Sequence, residues 1–188
     1  GERLLSLVND LLDLSKLEAG RVVLDMKTNN LLTIIEDVIS EFKIISKENK
    51  IGIKVNLKTA NTDFYFDHKK IEQVIRNLIS NAIKFTPPNG IITITIDNHN
   101  MITGKSPRST PSRDAIMCSI SDTGVGIPED ELESIFDKFI QSSKTNAGSG
   151  GTGLGLAICD HIIRAHSGTI KAENNPDRGA CFSFSLWK

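Results

Sequence analysis

The sequence predicts an α/β domain in which helices cover one face of a mixed β-sheet. Segments 31–47 and 68–85 place apolar residues at helical spacing, whereas several other segments alternate apolar and polar residues as strands do. Helices and strands do not alternate regularly, which argues against a sheet built from repeated βαβ units. The 188 residues suffice for one medium domain and an additional element.

The first predicted element is a helix over residues 4–19, which Gly20 ends. Its leucines follow heptad spacing: Leu4, Leu7, Leu11 and Leu14. Further apolar residues widen the stripe, which suits a helix packed in a bundle. The pattern leaves open that this helix packs on its own domain instead.

The central part of the chain contains the most informative helix. A short strand over 22–26, the helix over 31–47 and strands over 51–57 and 64–66 precede it. Asp67 is a suitable N-cap for the helix over 68–85, because its carboxylate can accept a backbone N–H of the first turn. The Pro-Pro-Asn-Gly segment that follows ends this helix.

Shorter elements are predicted for the second half. A strand over 92–96 and a returning strand over 116–120 flank a polar segment, 97–114, that we expect to form a long exposed loop. A short helix over 129–136, a flexible segment over 142–153 and a helix over 154–166 come next. Two strands, around residues 170 and 182–186, complete the predicted sheet.

Composition excludes several classes of function. The 22 Lys and Arg residues nearly balance the 23 Asp and Glu residues, so charge indicates neither a nucleic-acid partner nor direct membrane contact. The three cysteines are widely spaced, which argues against a disulfide framework or zinc site and favours buried thiols in a reducing cytoplasm. We find no signal peptide and no transmembrane stretch, although an anchor elsewhere in a longer protein remains compatible with the sequence.

Three polar residues share one stripe of the 68–85 helix. Asn77, Asn81 and Lys84 are spaced i, i+4, i+7 and border its apolar face. Asparagine carbonyl oxygens can ligate Mg²⁺, and a lysine can neutralise phosphate. Taken alone, the stripe is more typical of an ordinary solvated surface.

Asp122 and the glycines after it form the second candidate cluster. Strand alternation places Asp122 on the inward face, where a buried carboxylate needs a partner such as an amino group of a ligand. Gly124 and Gly126 follow, and glycine lets the backbone approach a flat ligand closely. A capped turn leading into the next helix is the alternative reading.

A glycine-rich run opens the helix over 154–166. Residues 148–156 read Gly-Ser-Gly-Gly-Thr-Gly-Leu-Gly-Leu, and a helix N-terminus with unpaired N–H groups suits phosphate. The run lacks the Gly-Lys-Ser/Thr of a P-loop and the preceding strand of a dinucleotide fingerprint. The long polar segment before it would act as a lid.

In this order, the motifs resemble those of sensor histidine kinases. Asn77-x-x-x-Asn81-Ala-x-Lys84-Phe85 is similar to their N box, and the segments starting at Asp122, Phe136 and Gly151 resemble their first glycine box, F box and second glycine box. The resemblance covers roughly residues 24–186, and helix 2–20 resembles the second helix of the family's dimerisation domain. We therefore expect residues 1–20 to belong to that domain and 21–188 to form the catalytic ATP-binding domain.

The resemblance implies a two-layer α/β sandwich of the Bergerat type, with ATP held under a mobile lid. Asp122 would bind the adenine amino group, and Asn81 would hold Mg²⁺ with support from Asn77. Lys84 and Lys138 would face the phosphates, and Phe136 and Phe139 would anchor the lid. The implied catalytic residues are Asn77, Lys84 and Lys138. The implied nucleotide-binding residues are Asn77, Asn81, Lys84, Asp122, Gly124, Gly126, Ile127, Phe136, Phe139, Gly151, Thr152, Gly153, Leu154 and Gly155.

The implied activity is transfer of the ATP γ-phosphoryl group to a protein histidine. The chaperone and topoisomerase branch of the superfamily has Glu where this chain has Asn77, and Asn is no general base at neutral pH, so fast hydrolysis is not expected. None of the four histidines has the family's acceptor context, which places the acceptor upstream of Gly1. A response-regulator receiver domain and a second copy of the kinase are the implied partners. A nucleotide-binding module without kinase activity is the alternative.

Another departure from the family pattern lies near the end of the chain. Gly179-Ala180-Cys181 stands where the family commonly has Gly-Thr. We expect this position to be distant from the phosphates, so the change should not abolish binding.

Overall fold

The computed structural model describes residues 8, 11, 12, 15, 23–102, 112–144 and 152–187. Most of the predicted first helix lies outside them, although Val8, Leu11, Leu12 and Ser15 are helical. The helices are α1 (Leu31–Glu48), α2 (His68–Phe85) and α3 (Gly155–Ala165). The strands are β1 (Met26–Asn30), β2 (Gly52–Leu57), β3 (Asp63–Asp67), β4 (Ile91–Ile102), β5 (Ser112–Asp122), β6 (Thr169–Asn174) and β7 (Ala180–Trp187).

Five strands form a mixed sheet in the order β2-β4-β5-β7-β6. β2 is parallel to β4, and the remaining neighbours are antiparallel. β1 and β3 form a separate antiparallel pair, and α1 and β2 lie between them in the chain. This mixed sheet with helices on one face confirms the predicted two-layer α/β fold.

The core lies between the sheet and α2. The apolar face of α2 is almost entirely inaccessible to solvent: Ile71, Val74, Ile75, Leu78, Ile79, Ala82 and Ile83. It meets equally buried residues of the two central strands: Ile92, Ile94, Ile96, Ile116, Cys118 and Ile120. Each large side chain buried in this way stabilises the fold by roughly 1.5–3 kcal/mol. The long helix that carries the polar stripe is therefore held rigidly against the sheet.

Side-chain caps fix where the two long helices begin. The Asn30 side chain accepts the N–H of Thr33 at 3.0 Å, and the Asp67 carboxylate accepts that of Lys70 at 3.1 Å, as predicted for Asp67. His166 accepts the Asp67 backbone N–H through Nε2 at 3.1 Å. This contact ties the end of α3 to the start of α2.

Three predicted elements differ from those observed. The strand predicted over 22–26 is instead Met26–Asn30, because pairing with β3 fixes this segment while Val23 is 93% exposed. The helix predicted over 129–136 is two 3-10 turns, Glu129–Glu131 and Ser134–Phe136, neither with a side-chain cap. The predicted loop over 97–114 is shorter, since the β4–β5 ladder extends to the pair Ile102 and Ser112.

The cysteines are free thiols in the described part of the chain. Cys118 and Cys159 are buried, whereas Cys181 is only half-buried, contrary to the expectation that all three are core residues. Burial raises the pKa of the Cys118 and Cys159 thiols to about 12. No helix among the described residues is long and apolar enough to span a bilayer.

Candidate functional site: a cavity between the long helix and the sheet

The polar stripe of α2 lines a cavity of about 340 Å³. Asn77, Asn81 and Lys84 face it from the helix, and Asp122 faces it from the end of β5. The predicted residues that line it are Asn77, Asn81, Lys84, Asp122, Gly126, Ile127, Thr152, Gly153 and Gly155. The fold thus brings together three motifs that are far apart in the sequence.

Asp122 is a buried carboxylate, 4% exposed, at the end of the cavity beside β7. Its Oδ1 accepts the backbone N–H of Gly124 at 2.7 Å and that of Ala180 at 3.3 Å. Desolvation raises the pKa of the Asp122 carboxyl, and these two hydrogen bonds act against that rise. Both bonds fall on one oxygen, so Oδ2 is the atom available to a ligand.

Close backbone approach around Asp122 requires glycine. A side chain at Gly124 would meet the Phe85 carbonyl and Oδ1 of Asp122, so Gly124 supports the cavity without lining it. At Gly179, where φ is +87°, a Cβ would overlap the Asp122 carbonyl. These two positions let β5, β7 and the end of α2 converge on one carboxylate.

Lys84 lines the same cavity from α2. Its Nζ is 4.9 Å from the centre of the Phe85 ring, a favourable cation–π arrangement. Partial burial lowers the pKa of the Lys84 amine. This lysine gives the lining of the cavity a basic group.

The start of α3 meets the stripe of α2 directly. Nδ2 of Asn77 donates to the Gly155 carbonyl at 3.2 Å, which orients the Asn77 amide. Leu154, predicted to bind nucleotide, is fully buried in the core and does not line the cavity. Gly151 lies outside the described residues. The contact links the orientation of Asn77 to the position of the α3 N-terminus.

The F-box residues surround the cavity without lining it. Phe136 packs edge-on against Phe182 with ring centres 6.3 Å apart. Phe139 is 59% exposed at a φ of +63°, and its N–H donates to the Gly153 carbonyl at 2.9 Å. Lys138 is exposed and also outside the lining. The roles predicted for these residues stay predictions.

Sequence reasoning missed several lining residues. They are Ser80, Phe85, Val125, Ile135, Ile140, Gln141, Ser142, Leu156, Ala180 and Phe182. Helical spacing could have found Ser80, which precedes Lys84 by one turn. Ala180 lines the cavity and donates its N–H to the Asp122 carboxylate, and the expected distance of this departure from the phosphates stays a prediction.

Comparison with known families identifies the fold and its cavity. Residues 66–188 match the profile described as "Histidine kinase-, DNA gyrase B-, and HSP90-like ATPase". The chain belongs to this ATPase family. The matched region contains α2, the sheet strands β4–β7 and every residue that lines the cavity.

Curated relatives of this ATPase domain are much longer proteins. The chain is 34% identical over 99% of its length to the non-motile and phage-resistance protein of Caulobacter vibrioides. It is 33% identical over its whole length to the circadian input-output histidine kinase CikA of Synechococcus elongatus. It spans only 21% and 23% of these two proteins.

Solved histidine kinases share the architecture. The catalytic domain of ThkA superposes with a TM-score of 0.71 at 31% identity, and the match covers 88% of this chain and 97% of that domain. Full-length ShkA in complex with AMPPNP gives a TM-score of 0.78 at 26% identity, covering 97% of this chain and 35% of ShkA. ThkA in complex with the response regulator TrrA gives 0.74 at 29% identity, covering 100% of this chain and 48% of ThkA. Within the family, the ATPase domain is therefore of the histidine-kinase catalytic type.

Proposed function

We propose that this chain is the catalytic ATP-binding part of a sensor histidine kinase in a two-component system. It would transfer the γ-phosphoryl group of ATP to a histidine outside residues 1–188. The observation that carries the proposal is a cavity lined by Asp122 together with Asn77, Asn81 and Lys84. Such a cavity offers a carboxylate acceptor for a base and amide and ammonium groups for a phosphate chain.

The base would enter at Asp122. A buried carboxylate whose Oδ1 is occupied by backbone N–H groups offers Oδ2 to a donor, and the exocyclic amino group of adenine is such a donor. Ile127 and Phe182 supply apolar walls at this end. The triphosphate would extend toward Lys84, Thr152 and the first turn of α3, where unpaired N–H groups favour an anion.

A magnesium ion fits the donors of this cavity. Mg²⁺ binds oxygen ligands, retains several waters and commonly takes one or two protein ligands together with phosphate oxygens. The Asn81 amide lines the cavity, and the Asn77 bond to Gly155 uses its nitrogen and leaves its carbonyl oxygen for water or metal. When bound, the ion would neutralise charge on the phosphates.

The residues of this chain would position the nucleotide for transfer and would not activate a water molecule. Asn77 cannot abstract a proton from water at neutral pH, which disfavours hydrolysis and suits transfer to a positioned protein acceptor. Lys84 would stabilise charge on the phosphoryl group. A lid rooted at Phe139 and Gly153 would exclude water.

We also propose the partners and organisation of the intact kinase. Residues 1–20 would be the second helix of the dimerisation domain, with residues 21–188 as the catalytic domain in the cytoplasm. A receiver domain would take the phosphoryl group from the histidine. The reported complex of ThkA with a response regulator supports a partner of this class.

The test is a phosphotransfer assay on the full-length kinase with radiolabelled ATP and Mg²⁺, beside calorimetric titration of this chain with ADP. We expect an acid-labile, base-stable label that moves to a receiver domain, and its loss in Asn81→Ala. Nucleotide binding without label would favour the binding-module alternative. Steady hydrolysis of ATP by the isolated chain would favour an ATPase of the chaperone or topoisomerase branch.

A further inference from the structure

Two adjacent asparagines at the β6–β7 turn contact the backbone around Asp122, although no sequence motif singled them out. Asn174 ends β6, and Asn175 begins the turn that leads to β7. Both are half-buried, and both direct their side-chain amides at backbone groups of residues 122–127. Most surface asparagines in turns cap only their own loop, so contacts across two loops point to a role beyond this turn.

The Asn174 side chain makes two hydrogen bonds with the backbone of Ile127. Its Oδ1 accepts the Ile127 N–H at 2.8 Å, and its Nδ2 donates to the Ile127 carbonyl at 2.7 Å. The side chain thus substitutes for a neighbouring strand at the place where Ile127 lines the cavity. Gly126 makes room for it, since a Cβ there would lie 2.9 Å from Oδ1 of Asn174.

Asn175 holds the other end of the same loop. Its Nδ2 donates to the Asp122 carbonyl at 2.7 Å, and its Oδ1 accepts the Ser121 hydroxyl at 3.1 Å. The turn itself is closed by the Asn175 N–H to the Gly179 carbonyl at 2.9 Å. The next residue of β7, Ala180, then donates its N–H to the Asp122 carboxylate.

We infer that Asn174 and Asn175 are positioning residues for base recognition, acting through Ile127 and Asp122. The segment from Asp122 to Ile127 is held at both ends by these asparagines. The distance between the Asp122 carboxylate and the Ile127 side chain is therefore fixed before a ligand binds. Preorganisation of this kind lowers the cost of binding without any contact to the ligand. The inference rests on the proposed nucleotide function of the cavity.

The test compares ADP with inosine diphosphate, which carries a carbonyl where adenine carries an amino group. We expect Asn175→Ala to weaken ADP binding about tenfold and inosine diphosphate binding much less, since only ADP needs the fixed carboxylate. Asn174→Ala should weaken both, because the Ile127 wall contacts either base. Asn56→Ala, an exposed asparagine on the opposite edge strand, is the matched control and should change neither affinity.

Two further measurements separate positioning from a loss of folding. In the unliganded wild-type protein, the Ile127 amide should exchange slowly with deuterated solvent, because Asn174 accepts its proton. In a double-mutant cycle that combines Asn175→Ala with Asp122→Asn, the effect of Asn175→Ala on ADP binding should largely disappear once Asp122 is already replaced. Fast Ile127 exchange, an unchanged ratio of ADP to inosine diphosphate affinity in Asn175→Ala, or additive effects in the cycle would overturn the inference. Absence of ADP binding by the folded wild-type protein would instead refute the proposed function.

Discussion

Replacing Asp122 by Asn should weaken ADP binding while making the unliganded protein more stable. The Asn side chain can still accept the Gly124 and Ala180 N–H groups through its oxygen, so the local structure is retained. Its NH₂ group then replaces Oδ2 and meets the adenine amino group donor to donor. Loss of a charge-assisted hydrogen bond costs about 1.5–3 kcal/mol. At about 1.4 kcal/mol per factor of ten, ADP should bind roughly 10–150-fold more weakly.

The stability gain follows from the direction of the pKa shift. Burial raises the pKa of Asp122 in the folded protein above its unfolded value, so the folded state holds the proton more tightly. The free energy of unfolding therefore falls as pH rises from the unfolded pKa through the folded one, and at neutral pH the charged carboxylate is a net cost. Asp122→Asn removes that cost, as expected where stability is sacrificed for a binding site.

Two assays check this reasoning together. Calorimetry should show weaker ADP binding but retained or improved binding of inosine diphosphate, whose carbonyl can accept from the new NH₂ group. Denaturant unfolding at pH 4 to 8 should show that the stability advantage of Asp122→Asn grows as pH rises and then levels off. Equal losses for both nucleotides would refute the assigned base edge, and a less stable variant at neutral pH would refute the desolvation argument.

Three other predictions concern the scaffold of the cavity. Gly124→Ala should lower the free energy of unfolding by about 1–3 kcal/mol, because its Cβ meets backbone, whereas Gly52→Ala, with its nearest contact at 3.8 Å, should be harmless in the same denaturant titration. Burial lowers the pKa of His166 in the folded protein, so its contribution to the free energy of unfolding should be fully present above its unfolded pKa and should decline as pH falls below that value. In urea titrations from pH 7 to 5, His166→Asn should therefore show a smaller loss of stability toward acid pH than the wild-type protein. Arg76→Ala removes a two-pronged, partly exposed contact with Glu41 and should cost about 0.2–1 kcal/mol, less in 1 M salt, measured by thermal unfolding. A salt-independent loss would show that packing, not charge, holds α1 to α2 there.

Periodicity predicted the long elements because burial and pattern agree in them. The structure buries the apolar residues that recur at helical spacing in α2, among them Ile71, Leu78 and Ala82. The short elements were decided by pairing instead. β1 contains Lys27 and two asparagines and has no strand pattern of its own, yet β3 supplies its hydrogen bonds. Likewise, the polar end of β4 is a strand because β5 continues beside it.

The site could be predicted only where the ligand-facing groups belong to motifs. Asn77, Asn81 and Asp122 stood out as polar groups beside apolar patterns, but an ordinary surface or turn explained each of them until the four motifs were found in order. Lys138 was chosen by motif as well, yet the structure leaves it outside the cavity. Asn174 and Asn175 had no such signal, since asparagine in a turn is ordinary until the fold shows which backbone it contacts.

The position of these two asparagines also explains how separate parts of the chain are held together around Asp122. The Asp122 side of the cavity is enclosed by β5, β7 and the β6–β7 turn, which are joined by backbone and amide hydrogen bonds. Elsewhere in the cavity, α3 is joined to α2 by the Asn77–Gly155 bond and, at its other end, by the His166–Asp67 contact. Since both sets of contacts join residues of the unliganded protein, a nucleotide that binds in this cavity would meet groups that are already positioned, which lowers the cost of binding.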